Sequence, residues 1–366
     1  MSQISELKFI LSQQLAWHKS RIDFFARIIL ALFTCRTVSL SELALAMDSK
    51  ANPDSRNRRI RRFLANFVID YEVIAKWLFS LFFASDAKVY LAIDRTNWFF
   101  GKAKINIFML SVCYEGIAIP LFWTLLPKAG SSTANEQITL VSRFVKVFGT
   151  KQIQALLADR EFPNNAFIAW LQLNKIPFYM RIKQNTVTHI NGRQFKTCEQ
   201  LFSHISPYKQ EVFGMSLTVF NQLLFLAASK NEQGELMIIV TNANPKIAIA
   251  AYLRRWEIES LFQAFKGRGF KFENTHITNL ERIEKLIVIM SVALAWAHKV
   301  GEWRSKIKPI LLKNKVNQKR PQYSYFRYGL DFISDKLTGF KKITVKKFNK
   351  LIQFIKPSIE IVRGIT

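Results

Sequence analysis

Four polar residues of different chemistry are spaced so that they can share one face of a helix. They lie at offsets of zero, three, seven and fourteen positions: Tyr252, Arg255, Glu259 and Lys266. At about 100° per residue, these positions fall within an arc of about 60° on a continuous helix. The pattern predicts a core helix with one polar edge. The alternative is an ordinary i, i+4 ion pair of Arg255 with Glu259 on a solvated helix.

Two aspartates directly follow apolar runs that have the composition of buried strands. Asp94 comes after the run 89–93, and Asp159 comes after the run 153–158. The two strands are expected to be neighbours, and functional groups gather at the carboxyl ends of strands in such sheets. Carboxylate oxygens suit Mg²⁺, while Lys and Arg suit phosphate. These residues together indicate metal-dependent chemistry on a nucleic acid.

The charge balance independently predicts an anionic partner. Lys and Arg number 53 against 26 Asp and Glu, which gives a formal net charge of +27 over 366 residues. Nucleic acid and anionic membranes both attract such a surface. The longest apolar runs, 24–35 and 286–297, fall short of the ~20 residues needed to span a bilayer. We therefore expect DNA as the partner and no membrane.

Other sequence features limit the compartment and the type of metal. Residues 2–6 show no basic stretch leading into an apolar one, so we expect a cytoplasmic protein. Cys35, Cys113 and Cys198 are widely spaced and odd in number, which argues against a disulfide framework and against a zinc site.

The region 1–85 is predicted to be a helical DNA-binding region. It contains apolar helical segments, followed by a turn and a basic helix that Asp54 or Ser55 caps. Five arginines lie within seven residues of this helix, and the candidate DNA contacts among them are Arg58, Arg59, Arg61 and Arg62. The alternative is a solvated charged face.

The remaining chain predicts an α/β fold, with a mixed sheet flanked by helices. Residues 86–185 have the order β-β-β-α-β-α-β, including a hairpin at Glu115–Gly116 and a capping box at Thr133–Glu136. Residues 186–243 form a β-rich insertion, and residues 244–305 contain one continuous helix from Pro245 to Lys266 and a second long helix. Residues 306–366 form a basic C-terminal region.

The polar helix resembles a known signature. Its spacing is that of Tyr-x2-Arg-x3-Glu-x6-Lys in DDE transposases of insertion sequences, of the insertion-sequence-four type. Blocks around the two aspartates are also similar to that family: 92–96, Ala-Ile-Asp-Arg-Thr, and 158–162, Ala-Asp-Arg-Glu-Phe. The resemblance extends from about residue 55 to about residue 266.

The resemblance implies a fold, an activity and roles for residues. The fold is a ribonuclease-H-like core interrupted by a β-rich insert. Asp94, Asp159 and Glu259 are implied to be catalytic and to hold two Mg²⁺ ions, with Mn²⁺ as a substitute. Tyr252, Arg255 and Lys266 are implied to contact DNA phosphates.

The implied reaction is hydrolysis that frees a 3′-OH at the element's end, followed by attack of that hydroxyl on target DNA. The implied partners are terminal inverted repeats, target DNA and a second copy of the chain in a homodimer on paired ends. Arg160, Arg181 and Lys183 follow strands near the site, where they line a DNA channel or are simply solvated. Two alternatives remain: a structure-specific nuclease of the same fold and a domesticated DNA-binding protein.

The aromatic residues depart from the pattern of certain relatives. Those relatives insert a tryptophan from the β insert into DNA during a hairpin step, but residues 171–255 contain no Trp. Phe220 and Phe225 are candidates for the same stacking role, and an ordinary core role is the other interpretation. Trp256 is predicted to be a packing residue.

Overall fold

Helices occupy the chain from Gln3 to Ser80, and strands begin at Val89. The computed structural model describes residues 3–315, 318–338 and 345–357. Its helices are α1 (Gln3–Gln14), α2 (Lys19–Cys35), α3 (Leu40–Ala46), α4 (Pro53–Asn66), α5 (Tyr71–Ser80), α6 (Ala134–Phe148), α7 (Asn165–Leu173), α8 (Cys198–Phe202), α9 (Ala248–Leu253), α10 (Trp256–Phe265), α11 (Leu280–Ile307), α12 (Tyr325–Thr338) and α13 (Val345–Ile352). Its strands are β1 (Val89–Phe100), β2 (Ala103–Tyr114), β3 (Ile117–Leu125), β4 (Ile153–Ala158), β5 (Phe178–Ile182), β6 (Val187–Ile190), β7 (Arg193–Thr197), β8 (Gln210–Val212), β9 (Leu217–Val219), β10 (Gln222–Lys230), β11 (Leu236–Thr241), β12 (Leu312–Lys315) and β13 (Gln318–Pro321).

Two compact units share the chain. One unit contains residues 1–85, 98–105 and 260–366, and the other contains residues 86–97 and 106–259.

Among the described residues, no single helix is long and apolar enough to cross a membrane. Helices α2 and α3 reach that length only together, and the pair is bent by 102°. Lys341 and Lys342 of the predicted basic C-terminal region lie outside the described residues.

The second unit is built on a mixed sheet, and the fold is ribonuclease-H-like, as predicted. Strand order is β3-β2-β1-β4-β5-β11-β10-β9-β6-β7, and β8 pairs with β10. β1, β4 and β5 are parallel neighbours, whereas β2 pairs antiparallel with β3. The order β-β-β-α-β-α-β is confirmed for residues 86–185.

Local signals in the sequence account for two connections in this sheet. Glu115 and Gly116 both have positive φ, 43° and 82°, as a two-residue turn between β2 and β3 requires. Thr133 and Glu136 form the predicted capping box at the start of α6. The predicted β-rich segment contains β6 to β11, of which β11 pairs with β5 and so extends the core sheet.

Two boundaries differ from those predicted. β1 does not end before Asp94 but continues to Phe100, because it runs on as one arm of the β1–β2 hairpin. Helix α4 is capped by Asn52, whose side chain accepts from the backbone N–H of Ser55, with Pro53 in the first turn. The prediction of a cap at Asp54 or Ser55 was therefore wrong.

In the first unit, α11 and α12 cross with their backbones in contact. A Cβ built on Gly329 of α12 would lie 1.8 Å from the carbonyl oxygen of Ala297, and one on Gly301 of α11 would lie 1.9 Å from that of Tyr325. Only glycine permits this approach, since backbone atoms cannot yield as a flexible side chain can.

We therefore expect Gly329→Ala to destabilise the first unit by about 3 kcal/mol, which is the upper part of the usual range for overpacking. Thermal unfolding followed by circular dichroism measures the effect. Gly267→Ala is the matched control, because nothing lies within 4 Å of its Cβ position. Equal stability of the two variants would contradict the backbone contact.

Candidate active site

Asp94 and Asp159 lie at the same level of two neighbouring parallel strands, Asp94 within β1 and Asp159 directly after β4. The register of β1 with β4 ends with Ile93 opposite Ala158, and each aspartate is the next residue. The predicted adjacency of these strands is confirmed. Asp94 accepts from the backbone N–H of Arg95 at 2.7 Å, and Asp159 accepts from that of Arg160 at 2.7 Å. Both carboxylates are thus fixed by the residue that follows.

The predicted continuous helix from Pro245 to Lys266 is broken. α9 ends at Leu253 and α10 begins at Trp256, with a turn at Arg254–Arg255 between them. The backbone N–H groups of Arg254 and Arg255 bond three residues back, to Ala251 and Tyr252, which tightens the chain there. The sequence contains no Gly or Pro at this turn to signal it.

Despite the break, Tyr252, Arg255 and Glu259 do converge on the two aspartates. The Tyr252 hydroxyl donates to Asp159 Oδ1 at 3.1 Å and accepts from Arg255 Nε at 3.1 Å. Arg255 Nη2 donates to Glu259 Oε1 at 2.7 Å, and its Nη1 lies 3.6 Å from Asp94 Oδ2. One guanidinium, 5% exposed, therefore lies between Asp94 and Glu259 and is linked to Asp159 through a phenol.

Burial shifts the ionisation of this cluster. It raises the pKa of Asp94 to about 7, although the Arg95 N–H and the Arg255 charge oppose the shift. Burial also raises the pKa of Tyr252 to about 12, so its hydroxyl keeps the proton that it donates. Burial alone would lower the pKa of Arg255, but Tyr252, Glu259 and the aspartates raise it, and the guanidinium stays charged.

Two of the three carboxylates, Asp94 and Glu259, share the Arg255 cation, and the three do not form a closed metal site. Within residues 3–315, 318–338 and 345–357, no three His, Cys, Asp or Glu side chains lie close enough to hold an ion. The Arg255 guanidinium occupies the position between two of the acids instead. The donors are hard carboxylate oxygens, which are the ligands that Mg²⁺ prefers.

A second ion pair lies beside the aspartates and was not among the predicted site residues. Arg95 donates from Nε to Glu161 Oε1 at 3.0 Å and from Nη2 to Glu161 Oε2 at 2.5 Å. The charge of Glu161 contributes to the raised pKa of Asp94. Both residues belong to the sequence blocks around the aspartates, but their pairing over 66 positions has no signal in the sequence.

Lys266 does not join Tyr252, Arg255 and Glu259 as a residue of one continuous helix. Its ammonium bonds Glu273 Oε1 at 2.9 Å and lies 5.4 Å from the centre of the Trp98 ring, both within the first unit. The four residues can share one face only on an unbroken helix, and the turn at Arg254–Arg255 breaks that helix. The prediction of one common face for all four residues was wrong.

The basic residues predicted to contact DNA differ in exposure. Arg160 and Lys183 are exposed and line a groove of the second unit together with Arg181. On α4, Arg58, Arg61 and Arg62 are exposed, whereas Arg59 is half-buried over the Phe24 ring and lies 4.0 Å from Asp23. The fifth arginine of this helix, Arg56, donates to backbone carbonyls between Ala44 and Ala51 and so has a structural role.

The aromatic candidates are also distinguished by exposure. Trp256 is 64% exposed at the first position of α10, so its prediction as a packing residue was wrong. Its ring lies 5.6 Å from the Arg255 guanidinium carbon. Phe225 is 37% exposed, and Phe220 lies at the turn between β9 and β10 with a φ of 53°.

Comparison with known proteins shows that the chain matches one protein family. The family described as transposase DDE domain matches residues 91–296, a span that contains Asp94, Asp159 and Glu259. No curated protein matches the chain. Among solved structures, a piggyBac transposase synaptic complex with hairpin DNA is similar, with a TM-score of 0.42 and 11% identity. That alignment covers 97% of this chain and 82% of the other.

Proposed function

Because the chain belongs to the transposase DDE domain family, we propose that it cleaves the ends of an insertion sequence and joins them to target DNA. The observation that carries this proposal is the convergence of three carboxylates on one polar cluster: Asp94 and Glu259 pair with the buried Arg255 guanidinium, and Asp159 accepts from the Tyr252 hydroxyl. We propose Asp94, Asp159 and Glu259 as the catalytic, metal-holding residues. The Tyr-x2-Arg-x3-Glu-x6-Lys spacing of Tyr252 to Lys266 supports assignment to the insertion-sequence-four type.

The three carboxylates would hold two Mg²⁺ or Mn²⁺ ions. When bound, two such ions activate the attacking oxygen and stabilise the leaving oxygen of an in-line displacement at phosphorus. The chain's own residues orient the acids: the Arg95 and Arg160 N–H groups fix the aspartates, and the Tyr252 hydroxyl holds Asp159. Water attacks the phosphorus at the element's end and breaks its bond to the 3′ oxygen, which leaves as the element's 3′-OH. That hydroxyl then attacks a phosphorus of target DNA, whose own 3′ oxygen leaves, and no covalent enzyme intermediate forms.

Arg255 has two partners in this reaction. In this structure its guanidinium bonds Glu259 and lies 3.6 Å from Asp94. DNA brings phosphates, to which a guanidinium binds in the same bidentate way as to a carboxylate. We propose that Arg255 turns from the acids to a phosphate near the cleaved end, which frees the acids for metal, and that Tyr252 and Lys266 contact neighbouring phosphates.

DNA is the proposed partner along two basic surfaces. Arg160, the residue after Asp159, lines one groove together with Lys183, and Arg58, Arg61 and Arg62 are exposed on α4. We propose that these surfaces bind the terminal inverted repeats and target DNA, with Arg59 as a further contact on α4. A homodimer on paired ends in the bacterial cytoplasm is the proposed acting form.

A cleavage and joining assay tests the proposed function. Inverted repeats that bracket the reading frame supply the end sequence, and purified protein is incubated with Mg²⁺, a labelled end fragment and a plasmid target. Cleavage at the end with a free 3′-OH and joined products are expected, while a scrambled end is left intact. Cleavage without joining would indicate a nuclease, and binding without cleavage a domesticated DNA-binding protein.

The basic helix leads to a prediction about salt. Replacing Arg58, Arg61 and Arg62 together by Gln is expected to flatten the dependence of log Kd on log salt concentration, by about 0.9 for each phosphate that the variant no longer neutralises. Fluorescence anisotropy with the end fragment at several salt concentrations measures this slope. Since the three side chains are exposed, thermal stability should not change. An unaltered slope would exclude α4 from the DNA interface.

A further inference from the structure

The ion pair of Arg95 with Glu161 joins the two chain segments that carry the aspartates. Arg95 is the first residue after Asp94, and Glu161 is the second residue after Asp159. The register of β1 with β4 ends at Ile93 and Ala158, before either aspartate. The side-chain pair lies just beyond the last backbone pairing and connects the segments there.

The hydrogen bonds of the Arg95 guanidinium are all directed at the protein. Two go to the two carboxylate oxygens of Glu161, at 3.0 and 2.5 Å. Its Nη1 donates to the carbonyl oxygen of Gly130 and to Asn106 Oδ1, the latter at 3.4 Å. Asn106, 2% exposed, also donates to Gly130. Arg95 thus fixes β1 to the loop after β4 and to the loop before α6.

This pair differs in exposure from Arg160 and Lys183, the exposed basic residues of the groove. The Arg95 side chain is 13% exposed and Glu161 is 34% exposed. Both carboxylate oxygens of Glu161 already accept from Arg95, in the fork-to-fork geometry that fixes orientation most strictly. Neither side chain is therefore disposed to bind a phosphate or an ion directly.

A backbone link connects the pair to the acids themselves. Asp94 is fixed by the N–H of Arg95 and Asp159 by the N–H of Arg160, which immediately precedes Glu161. A shift of either segment would move the carboxylate attached to it. The distance between the two carboxylates consequently depends on the side-chain pair that joins the segments.

We propose that Arg95 and Glu161 are positioning residues, which set the separation of Asp94 and Asp159 for metal binding and DNA cleavage. This inference rests on the proposed function of the two aspartates. Outer partners of this kind typically contribute 10- to 100-fold to metal affinity or activity. Because the two act as a unit, their effects should not add.

The test is a double-mutant cycle of Arg95→Met, Glu161→Gln and the double variant. Free Mn²⁺ is measured by electron paramagnetic resonance during titration of each protein in the presence of the end fragment, with the fragment alone as a blank, and kcat and KM are measured on the same fragment. Each single variant should lose about 10- to 100-fold in Mn²⁺ affinity and a similar factor in kcat, with KM unchanged. The double variant should lose no more Mn²⁺ affinity and no more kcat than the more impaired of the two single variants.

Other outcomes overturn the proposal in identifiable ways. A further loss from Glu161→Gln in the Arg95→Met background would make Glu161 a direct metal ligand. A raised KM for Arg95→Met would make Arg95 a DNA contact. If both single variants keep wild-type Mn²⁺ affinity and wild-type kcat, Arg95 and Glu161 have no positioning role. If wild-type protein binds Mn²⁺ but cuts no DNA, the proposed function fails, while the Mn²⁺ titrations still test the positioning role of the pair.

Two further variants separate positioning from stability. Arg36→Met breaks a 2.6 Å ion pair with Asp331 in the first unit, and it should leave Mn²⁺ affinity unchanged. If Arg95→Met fails to fold, Arg95→Lys keeps the charge but not the two-pronged geometry, and an intermediate loss of Mn²⁺ affinity is expected. Full wild-type affinity in Arg95→Lys would show that the geometry of the pair is not required.

Discussion

Glu259→Gln is expected to lower the rate of DNA end cleavage about a thousandfold. The substitution keeps the size and the hydrogen-bonding capacity of the side chain but removes the charge that we propose holds metal. Loss of about 4 kcal/mol of transition-state stabilisation, in the range that a bound ion supplies, corresponds to that factor. Single-turnover cleavage of the labelled end fragment in Mg²⁺ measures it.

Glu257→Gln is the matched control for this substitution. Glu257 is an acid of the same helix, two residues earlier, and it pairs with Arg254 rather than with Arg255. Its variant should cut at close to the wild-type rate. If Glu257→Gln loses as much activity as Glu259→Gln, or if neither loses any, the assignment of Glu259 is wrong.

Arg255→Met should lower the thermal stability of the protein and increase its stabilisation by Mn²⁺, which is the second largest effect that we expect. The guanidinium is the cation that Glu259 and Asp94 share, so its removal leaves two carboxylates uncompensated. We expect the metal-free protein to lose about 3 kcal/mol, at the low end for a broken buried pair, because Glu259 is partly exposed. Added Mn²⁺ should then raise Tm by more than it does in wild-type protein, because the competing cation is gone.

Arg254→Met provides the comparison. Arg254 is the adjacent residue of the same turn, but it bonds Glu257 and the carbonyl oxygen of Cys113 and lies over the Tyr90 ring. Its variant should show the same Mn²⁺-induced rise in Tm as wild-type protein. Differential scanning fluorimetry with and without Mn²⁺ compares the three proteins. An equal rise in Arg255→Met and wild type would rule out competition between the guanidinium and metal.

The adjacency of Asp94 and Asp159 could be predicted because it depends on local signals. Apolar runs of strand length end at both residues, and parallel strands joined by a crossover place their carboxyl ends at one edge. The turn at Glu115–Gly116 and the capping box at Thr133 are equally local. The pairing of β1 with β4 follows from these elements once the chain's connections are kept short.

The remaining features of the site depend on tertiary contacts that no local sequence signal predicts. The turn at Arg254–Arg255 contains no helix-breaking residue, and it arises where the guanidinium and phenol meet the acids. The pairing of Arg95 with Glu161 joins positions 66 residues apart. Arg56 lies among four similar arginines, yet only its contacts with backbone carbonyls distinguish it as structural.

The central claim is that Asp94, Asp159 and Glu259 together hold the metal ions that cut DNA. The most direct measurement is a crystal structure of the protein with Mn²⁺ and an end oligonucleotide, from which an anomalous difference map locates manganese. We predict two peaks about 4 Å apart, both in contact with these carboxylates, and Arg255 turned toward a phosphate. Manganese bound elsewhere, or bound without Glu259 while Arg255 still holds that acid, would contradict the claim.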